Sequence, residues 1–458
     1  MRLPSAPRLV PACIVSAAAV AALAAPGAAN AALGTQCSGS NITAQGSSLQ
    51  KDAQLNVWNP DFNTETKSKA ACAGAKGQGT LGKPAVKYTS TGSGAGLEAW
   101  GVNKQTPNYT TNAFVGTDEP PNAAQIAEIE ANETTLVPNT VLSIPVVQES
   151  VAVVVNLPTG CTATSKKDAG RLELNNKTLE GIFKGDIKEW GEIKDDGDTI
   201  TGTGCATAAI QPVVRFDQSG TTHIFKKYLS LINEGSFATE KEENKTWTQI
   251  SEGTENTVWP KAAKVIKPAA KGGGEELAKV ASTPGSIGYA NIAEARLNGS
   301  FTPTPGTGGP GTAKFWATIQ NNGLATGTES KKFKYADPSS NGDSATEAEA
   351  NCKDTEFTNG SVAFPPENTQ LPWNEVTTST IEKKYPLCGL TYDLAFTSFS
   401  AYSGTSLGEA TTVNNYLQWE LNAKGGGGQK VIAGHDYLAL PKGVILEEAQ
   451  HGASIIGD

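Results

Sequence analysis

Along the 458-residue chain, short β-branched runs of period two give way to polar Gly-Ser turns, which lead into apolar positions spaced three and four apart. Residues 41–58 (NITAQGSSLQKDAQLNVW) read as strand, Gly-Ser turn and helix, with Ser47 and Ser48 at the helix start. Residues 86–100 (VKYTSTGSGAGLEAW) repeat that order. Residues 114–121 (FVGTDEPP) form a strand that runs into a turn with Asp118 at its tip, ahead of an amphipathic helix near 123–131. Residues 213–233 are a strand end, a tight polar turn and a helix whose Ile224, Phe225, Tyr228, Leu229 and Ile232 make one apolar face. Polar turns at successive strand-to-helix junctions predict α/β layering, with a ligand at the carboxyl ends of the strands.

Two further segments suggest how domains are joined. Residues 141–157 (VLSIPVVQESVAVVVNL) are β-branched around a polar centre and too long for one sheet, so they are expected to cross between domains. Residues 284–295 read as turn, strand and short helix, the expected return crossing. The resulting division is a first domain of 32–147 and 289–458 and a second of 148–288. The GTGGPG at 306–311 fits a dinucleotide pattern on paper, but no strand leads into it and Pro310 spoils a helix start. Residues 336–380 are polar, 385–396 read as a strand and 410–422 as a helix, and a Pro-interrupted segment at 435–445 ends the reading.

Composition narrows the functional classes. With 37 basic and 46 acidic residues, the net charge of −9 argues against general nucleic-acid binding. Residues 1–31 carry Arg2 and Arg8, an apolar run and Ala-Asn-Ala, the pattern of a secretory signal peptide, so export is expected. Past Cys13 stand six cysteines, an even number that points to disulfides in an exported chain. Their proximity in sequence pairs Cys37 with Cys72, Cys161 with Cys205 and Cys352 with Cys388. No Cys/His cluster suggests a metal, and no cofactor is expected.

The turn before residue 223 is the richest in chemistry. Arg215, Asp217, Ser219, Gly220, Thr221 and Thr222 gather where a helix begins. Free N–H groups and the positive end of the helix dipole lie there. Gly220 lets backbone approach a ligand, the hydroxyls donate, and Arg215 offers a planar fork for two oxygens. Together these would hold a tetrahedral oxyanion. The plain alternative is a helix N-capped by Asp217 or Ser219.

Four stretches, ITAQGSSL at 42–49, YTSTGSGAG at 88–96, FVGTDEP at 114–120 and VVRFDQSGTT at 213–222, occur in that order. They resemble the phosphate-binding proteins of bacterial high-affinity phosphate ABC transporters, within the type II periplasmic-binding-protein superfamily. Supporting likenesses run through LEGIFKGDIKEW at 179–190, GSIGYANIAEA at 285–295 and HDYLALP at 435–441. The resemblance implies a two-domain α/β fold, two mixed sheets flanked by helices and joined by two hinge strands, with inorganic phosphate clamped in the cleft. By motif position, one domain would supply Ser48, the N–H of Leu49, Ser93 and Asp118. The other would supply Arg215, Ser219, the N–H of Gly220 and Thr221, with Asp217 orienting Arg215. A monomer that delivers phosphate to an ABC transporter permease is implied. Ser48-Leu49 stand where the family often has Thr-Phe, and the polar loops at 300–380 have no clear counterpart.

Two other classes compete. Ser219 and His223 are four apart, with Asp217 nearby, which sketches a Ser-dependent hydrolase. His223 would have to bend back along its own helix to serve, and no GxSxG elbow surrounds Ser93. A binding fold with an adhesive or signalling role would be marked by loss of the anion-contacting set, and that set is complete in the sequence.

Overall fold

The computed structural model describes residues 39–63, 84–135, 140–164, 172–194, 199–233, 270–302, 314–321, 335–339, 352–354, 376–378 and 385–457. The expected signal peptide, Cys37 and Cys72 lie outside them.

The strand-turn-helix units form as read. Strands Ile42–Gly46, Val86–Ser90 and Phe114–Thr117 lead respectively into the helical segment that includes Ala53–Trp58 and Asn59–Asn63, into helix Ser93–Ala99, and into helix Ala123–Glu130. The last helix starts with a capping box, in which Asn122 accepts from the Gln125 N–H while the Gln125 side chain accepts from the Asn122 N–H. Helix Gly220–Asn233 buries Ile224, Phe225, Tyr228, Leu229 and Ile232, the face read from the spacing. Burial of each of these side chains contributes about 1.5–3 kcal/mol, so packing of this face holds the helix more firmly than intrinsic propensity does. Two helices escaped the pattern. Gly272–Ser282 opens on three glycines, and Val444–Ser454 follows a proline-interrupted stretch.

A large sheet sets the architecture. Its strands lie in the order Val86–Ser90, Ile42–Gly46, Phe114–Thr117, Cys388–Phe396, Val141–Asn156, Ser286–Asn291 and Gln211–Pro212. The first three are mutually parallel, with Ile42 opposite Val86 and Ala44 opposite Phe114. The chain leaves Ile42–Gly46 for one side and returns on the other, so a crevice opens at the carboxyl ends of these strands.

Val141–Asn156 is a single strand of 16 residues, buried throughout. At about 3.3 Å per residue it is some 50 Å long, beyond the span of one ordinary sheet. It changes partner midway. Residues 141–150 pair antiparallel with Cys388–Phe396, and residues 151–156 with Ser286–Asn291. A register shift opposite Thr391 and Tyr392 falls beside Pro145, whose missing N–H suits a break in the ladder.

Packing follows the same division. One buried cluster runs from Ile42 to Val147 and resumes from Cys388 to Ile456. A second gathers Val151, Val153 and Val155 with Phe225, Tyr228 and Tyr289, while Ala152 and Val154 face a third on the opposite side of the strand. Phe315, Ala317, Ile319, Ala336, Tyr385 and Leu387 also pack in the second cluster. The reading of the sequence had set these with the first domain. Strand pairing draws them over, since Lys314–Trp316 lies antiparallel to residues 154–156.

Cys161 and Cys205 form a disulfide, with Cα atoms 5.8 Å apart. Cys388 is also disulfide-bonded. Among the described residues no helix is long and apolar enough to cross a membrane.

Candidate functional site

Strand ends bring the first group of side chains together. Because the strands beginning at Ile42, Val86 and Phe114 are parallel, Ser47, Ser93 and Asp118 follow them at one edge. The Asp118 carboxylate accepts from Ser47 Oγ through one oxygen and from Ser93 Oγ, at 3.2 Å, through the other. Ser93 Oγ in turn accepts from the Asp118 N–H at 3.2 Å. Ser47 also caps the next turn, where its Oγ accepts from the N–H of Leu49 at 2.9 Å and of Gln50 at 3.3 Å. Asp118 is thus a buried acceptor rather than a surface turn residue. Burial pushes its carboxyl up to about 6, against the hydrogen bonds of Ser47, Thr391 and Ser93 and the charge of Arg215.

The second group comes from residues 215–222. Arg215 is 1 % exposed, and its Nε and Nη2 grip both oxygens of Asp217, with Nε to Oδ1 at 2.6 Å. Burial works against the charge of each partner. For Arg215 the Asp217 contact outweighs it and raises the guanidinium further; for Asp217 the Arg215 contacts and the Gly272 N–H hold the carboxyl below its usual range. This pairing turns the guanidinium toward the first group, where Nη1 donates to Ser48 Oγ at 3.3 Å. The Tyr289 hydroxyl supports the same loop, accepting from the Arg215 N–H at 3.3 Å and lying 2.6 Å from Thr222 Oγ1. Ser219 Oγ accepts from the Thr222 N–H at 3.2 Å, an N-cap for the helix that follows.

The two groups meet at glycines. A Cβ on Gly220 would lie 2.5 Å from Asp118 Cβ and 2.7 Å from Ser93 Oγ. One on Gly94 would lie 2.2 Å from Gln218 Cβ, and the Gly94 N–H donates to the Gln218 carbonyl at 3.0 Å. The start of helix Gly220–Asn233 therefore stands directly against Asp118. A cleft of about 710 Å³ borders this contact, lined among others by Ser48, Lys51, Asp217 and Gln218.

Ser48, Ser93, Asp118, Arg215, Ser219 and Gly220 are buried and lie close together, and Thr221, also buried, follows Gly220 in the helix. Leu49 is adjacent, but its N–H is turned to Ser47 Oγ. The residues placed by motif leave out Ser47 and Thr222, which the local reading had set at the two helix starts. Tyr289 and Gln218 were missed; nothing local marks Tyr289. The hydrolase arrangement is not assembled. His223 Nδ1 lies 3.2 Å from Glu119 Oε1, Ser219 is occupied as a cap, and Asp217 is held by Arg215. Among the described residues no cluster of His, Cys, Asp and Glu could hold a metal ion.

A substitution tests the close approach. Gly220→Ala should weaken anion binding by about tenfold to a hundredfold, since overpacking costs about 1–3 kcal/mol and here falls on the contact with Asp118. Gly220 does not have a positive φ, so alanine suits its own helix and the cost arises at the contact with Asp118 and Ser93. Titration calorimetry reads the loss; binding within threefold of wild type would contradict this account.

The phosphate-binding protein PstS 3 of Mycobacterium leprae (strain TN) is 30% identical over 207 residues, which are 44% of this chain and 45% of that protein. The match thus spans about half the length of that relative. A phosphate-binding protein from Stenotrophomonas maltophilia aligns with TM-score 0.55 at 17% identity, over 90% of this chain and 93% of that one. A high-affinity periplasmic phosphate-binding protein, PfluDING, bound with phosphate, aligns with TM-score 0.52 at 18% identity, over 88% and 91%. At such identities the likeness is one of fold. A family model described as the PBP superfamily domain matches residues 29–351, well over half of the sequence. The chain therefore belongs to the PBP superfamily and shares its α/β fold with these phosphate-binding proteins.

Proposed function

We propose that this protein is an exported solute-binding protein that clamps inorganic phosphate between two lobes and delivers it, as a monomer, to an ABC transporter permease. The observation that carries the reading is the convergence of a buried acceptor, Asp118, with a buried guanidinium, Arg215, at the start of one helix. A dianion that still carries a proton needs both kinds of partner. Ser48, Ser93, Ser219, Thr221 and the N–H groups of Leu49 and Gly220 complete the set, and Asp217 fixes the Arg215 fork. The matches to phosphate-binding proteins support the same ligand. Titration calorimetry with phosphate tests it directly; no heat of binding at neutral pH would defeat it.

The first lobe comprises residues 32–147 and the chain from about 388 onward, and the second the segment between, as the buried clusters support. The hinge passes through Val141–Asn156 where it changes partner and through the segment leading into Cys388–Phe396. The Cys161–Cys205 disulfide lies within the second lobe; of the other pairs we expect, Cys37–Cys72 would lie within the first and Cys352–Cys388 would join the two beside the hinge. Phosphate touching both lobes favours the closed form over the open one. Small-angle scattering should therefore show a smaller radius of gyration with phosphate than without; identical curves at saturation would argue against a hinged clamp.

His223 Nδ1 faces Glu119 and Ser219 Oγ caps its helix, which supports binding without catalysis as the better account of the site.

A further inference from the structure

The turn that carries Ser48 is held from far away in sequence. Leu49 is fully buried, and its side chain packs in the second cluster although its strand belongs to the first. The Leu49 carbonyl accepts two hydrogen bonds, from Asn291 Nδ2 at 2.6 Å and from the Tyr437 hydroxyl at 2.7 Å. Asn291 Nδ2 also reaches that hydroxyl at 3.1 Å, and Asn291 Oδ1 caps the following helix by accepting from the Glu294 N–H at 3.2 Å. Glu294 in turn accepts from Lys51 Nζ at 2.8 Å. Residues 49 and 51 are thus both tied to the segment 291–294.

The place of Asn291 gives this tie its meaning. It ends strand Ser286–Asn291 and pairs with Val151, the first residue of the long strand after its change of partner. It therefore stands where the strands of the two clusters part. A rotation about that point moves the Asn291 amide relative to the Ser48 turn unless the hydrogen bond to Leu49 holds.

We propose that Asn291 is a positioning residue for anion binding, holding the Ser48–Leu49 turn in its binding geometry from the point where the hinge strands part. The proposal rests on the phosphate reading given above. The amide is suited to it because it donates and accepts at once: two N–H groups serve Leu49 and Tyr437 while the carbonyl caps a helix. Capping alone would be met equally well by Asp or Ser. Neither replaces the donor: an ionised aspartate only accepts, and a serine hydroxyl falls short of Leu49.

The test compares wild type, Asn291→Asp, Asn291→Ser and Tyr437→Phe. Phosphate affinity by titration calorimetry should fall about tenfold in both Asn291 variants, and severalfold in Tyr437→Phe, which leaves one of the two bonds to Leu49. Hydrogen exchange supplies a local reading. Phosphate should slow exchange at residues 48–51 in wild type but not in the Asn291 variants, while protection at residues 220–222 persists in all. Wild-type affinity in both Asn291 variants, or equal loss of protection at both segments, overturns the role of Asn291. Wild-type protein that binds no phosphate removes the underlying reading, and this proposal with it.

Discussion

Arg215→Ala should lower phosphate affinity by about a thousandfold or more. The guanidinium is almost wholly buried, is held in one orientation by Asp217 and points at Ser48 across the contact between the two clusters. Hydrogen bonds to charged groups contribute about 1.5–3 kcal/mol each, and a fork offers two to the anion. Their sum corresponds to roughly two to four decades in affinity. The variant also leaves the Asp217 carboxylate without its guanidinium, with backbone N–H groups such as that of Gly272, at 3.2 Å, as partners near the place where a dianion would sit. Like charge then replaces a compensated pair, which pushes the loss to the upper end. Arg215→Lys should recover only part of it, because an ammonium keeps the charge but cannot hold Asp217 and the ligand in one plane. Titration calorimetry at fixed ionic strength checks both; binding within threefold of wild type in Arg215→Ala would refute the assignment.

Asp118→Asn should narrow the gap between phosphate and sulfate by about tenfold to a hundredfold. Near neutral pH phosphate keeps a proton and sulfate has none. The ionised Asp118 carboxylate accepts a hydrogen bond from the phosphate O–H, but meets sulfate with like charge and an unshared lone pair. An unmet buried acceptor costs about 1–3 kcal/mol, and more when charged. Size cannot do this work, since the two anions are nearly the same shape. Asparagine removes the charge and brings a donor.

The pH dependence supplies a second check with a definite sign. Burial raises the Asp118 carboxyl to about 6, so it is ionised above that pH and protonated below. A protonated acid can donate to sulfate. Sulfate binding by wild type should therefore strengthen as pH falls through about 6, whereas Asp118→Asn should show no such rise. Competition titrations of both anions from pH 5 to 8 separate this from a turn-forming role, under which both affinities would stay put or fall together.

Local reading of the residues carried far because its signals are local in origin. The helix at 220–233 was visible in its apolar spacing, and the strand-turn-helix units in their Gly-Ser junctions, since each pattern reflects the geometry of one element. The long segment at 141–157 showed its dual membership through length, since no one partner strand spans it and it pairs with two in succession. Helix Gly272–Ser282 was hidden by its three opening glycines, a poor local signal overruled by burial of Leu277 and Val280. The return of residues 315–319 to the second cluster was equally hidden, because strand pairing across more than a hundred residues leaves no mark in either strand alone.

The sequence by itself determined the α/β alternation, the acidic balance and the donor-rich chemistry of residues 215–222 on which the proposed anion site rests, because helix starts, hydroxyls and a guanidinium act wherever a strand ends in such a turn. Tertiary structure alone decided that Asp118 is a buried acceptor joined to Ser47 and Ser93, that Gly220 stands against it, and that Asn291 reaches the Leu49 carbonyl. Each of those contacts depends on which strands lie side by side and on how closely two backbones approach. Strand order and approach distance are set by packing of the whole chain, so no run of neighbouring residues encodes them.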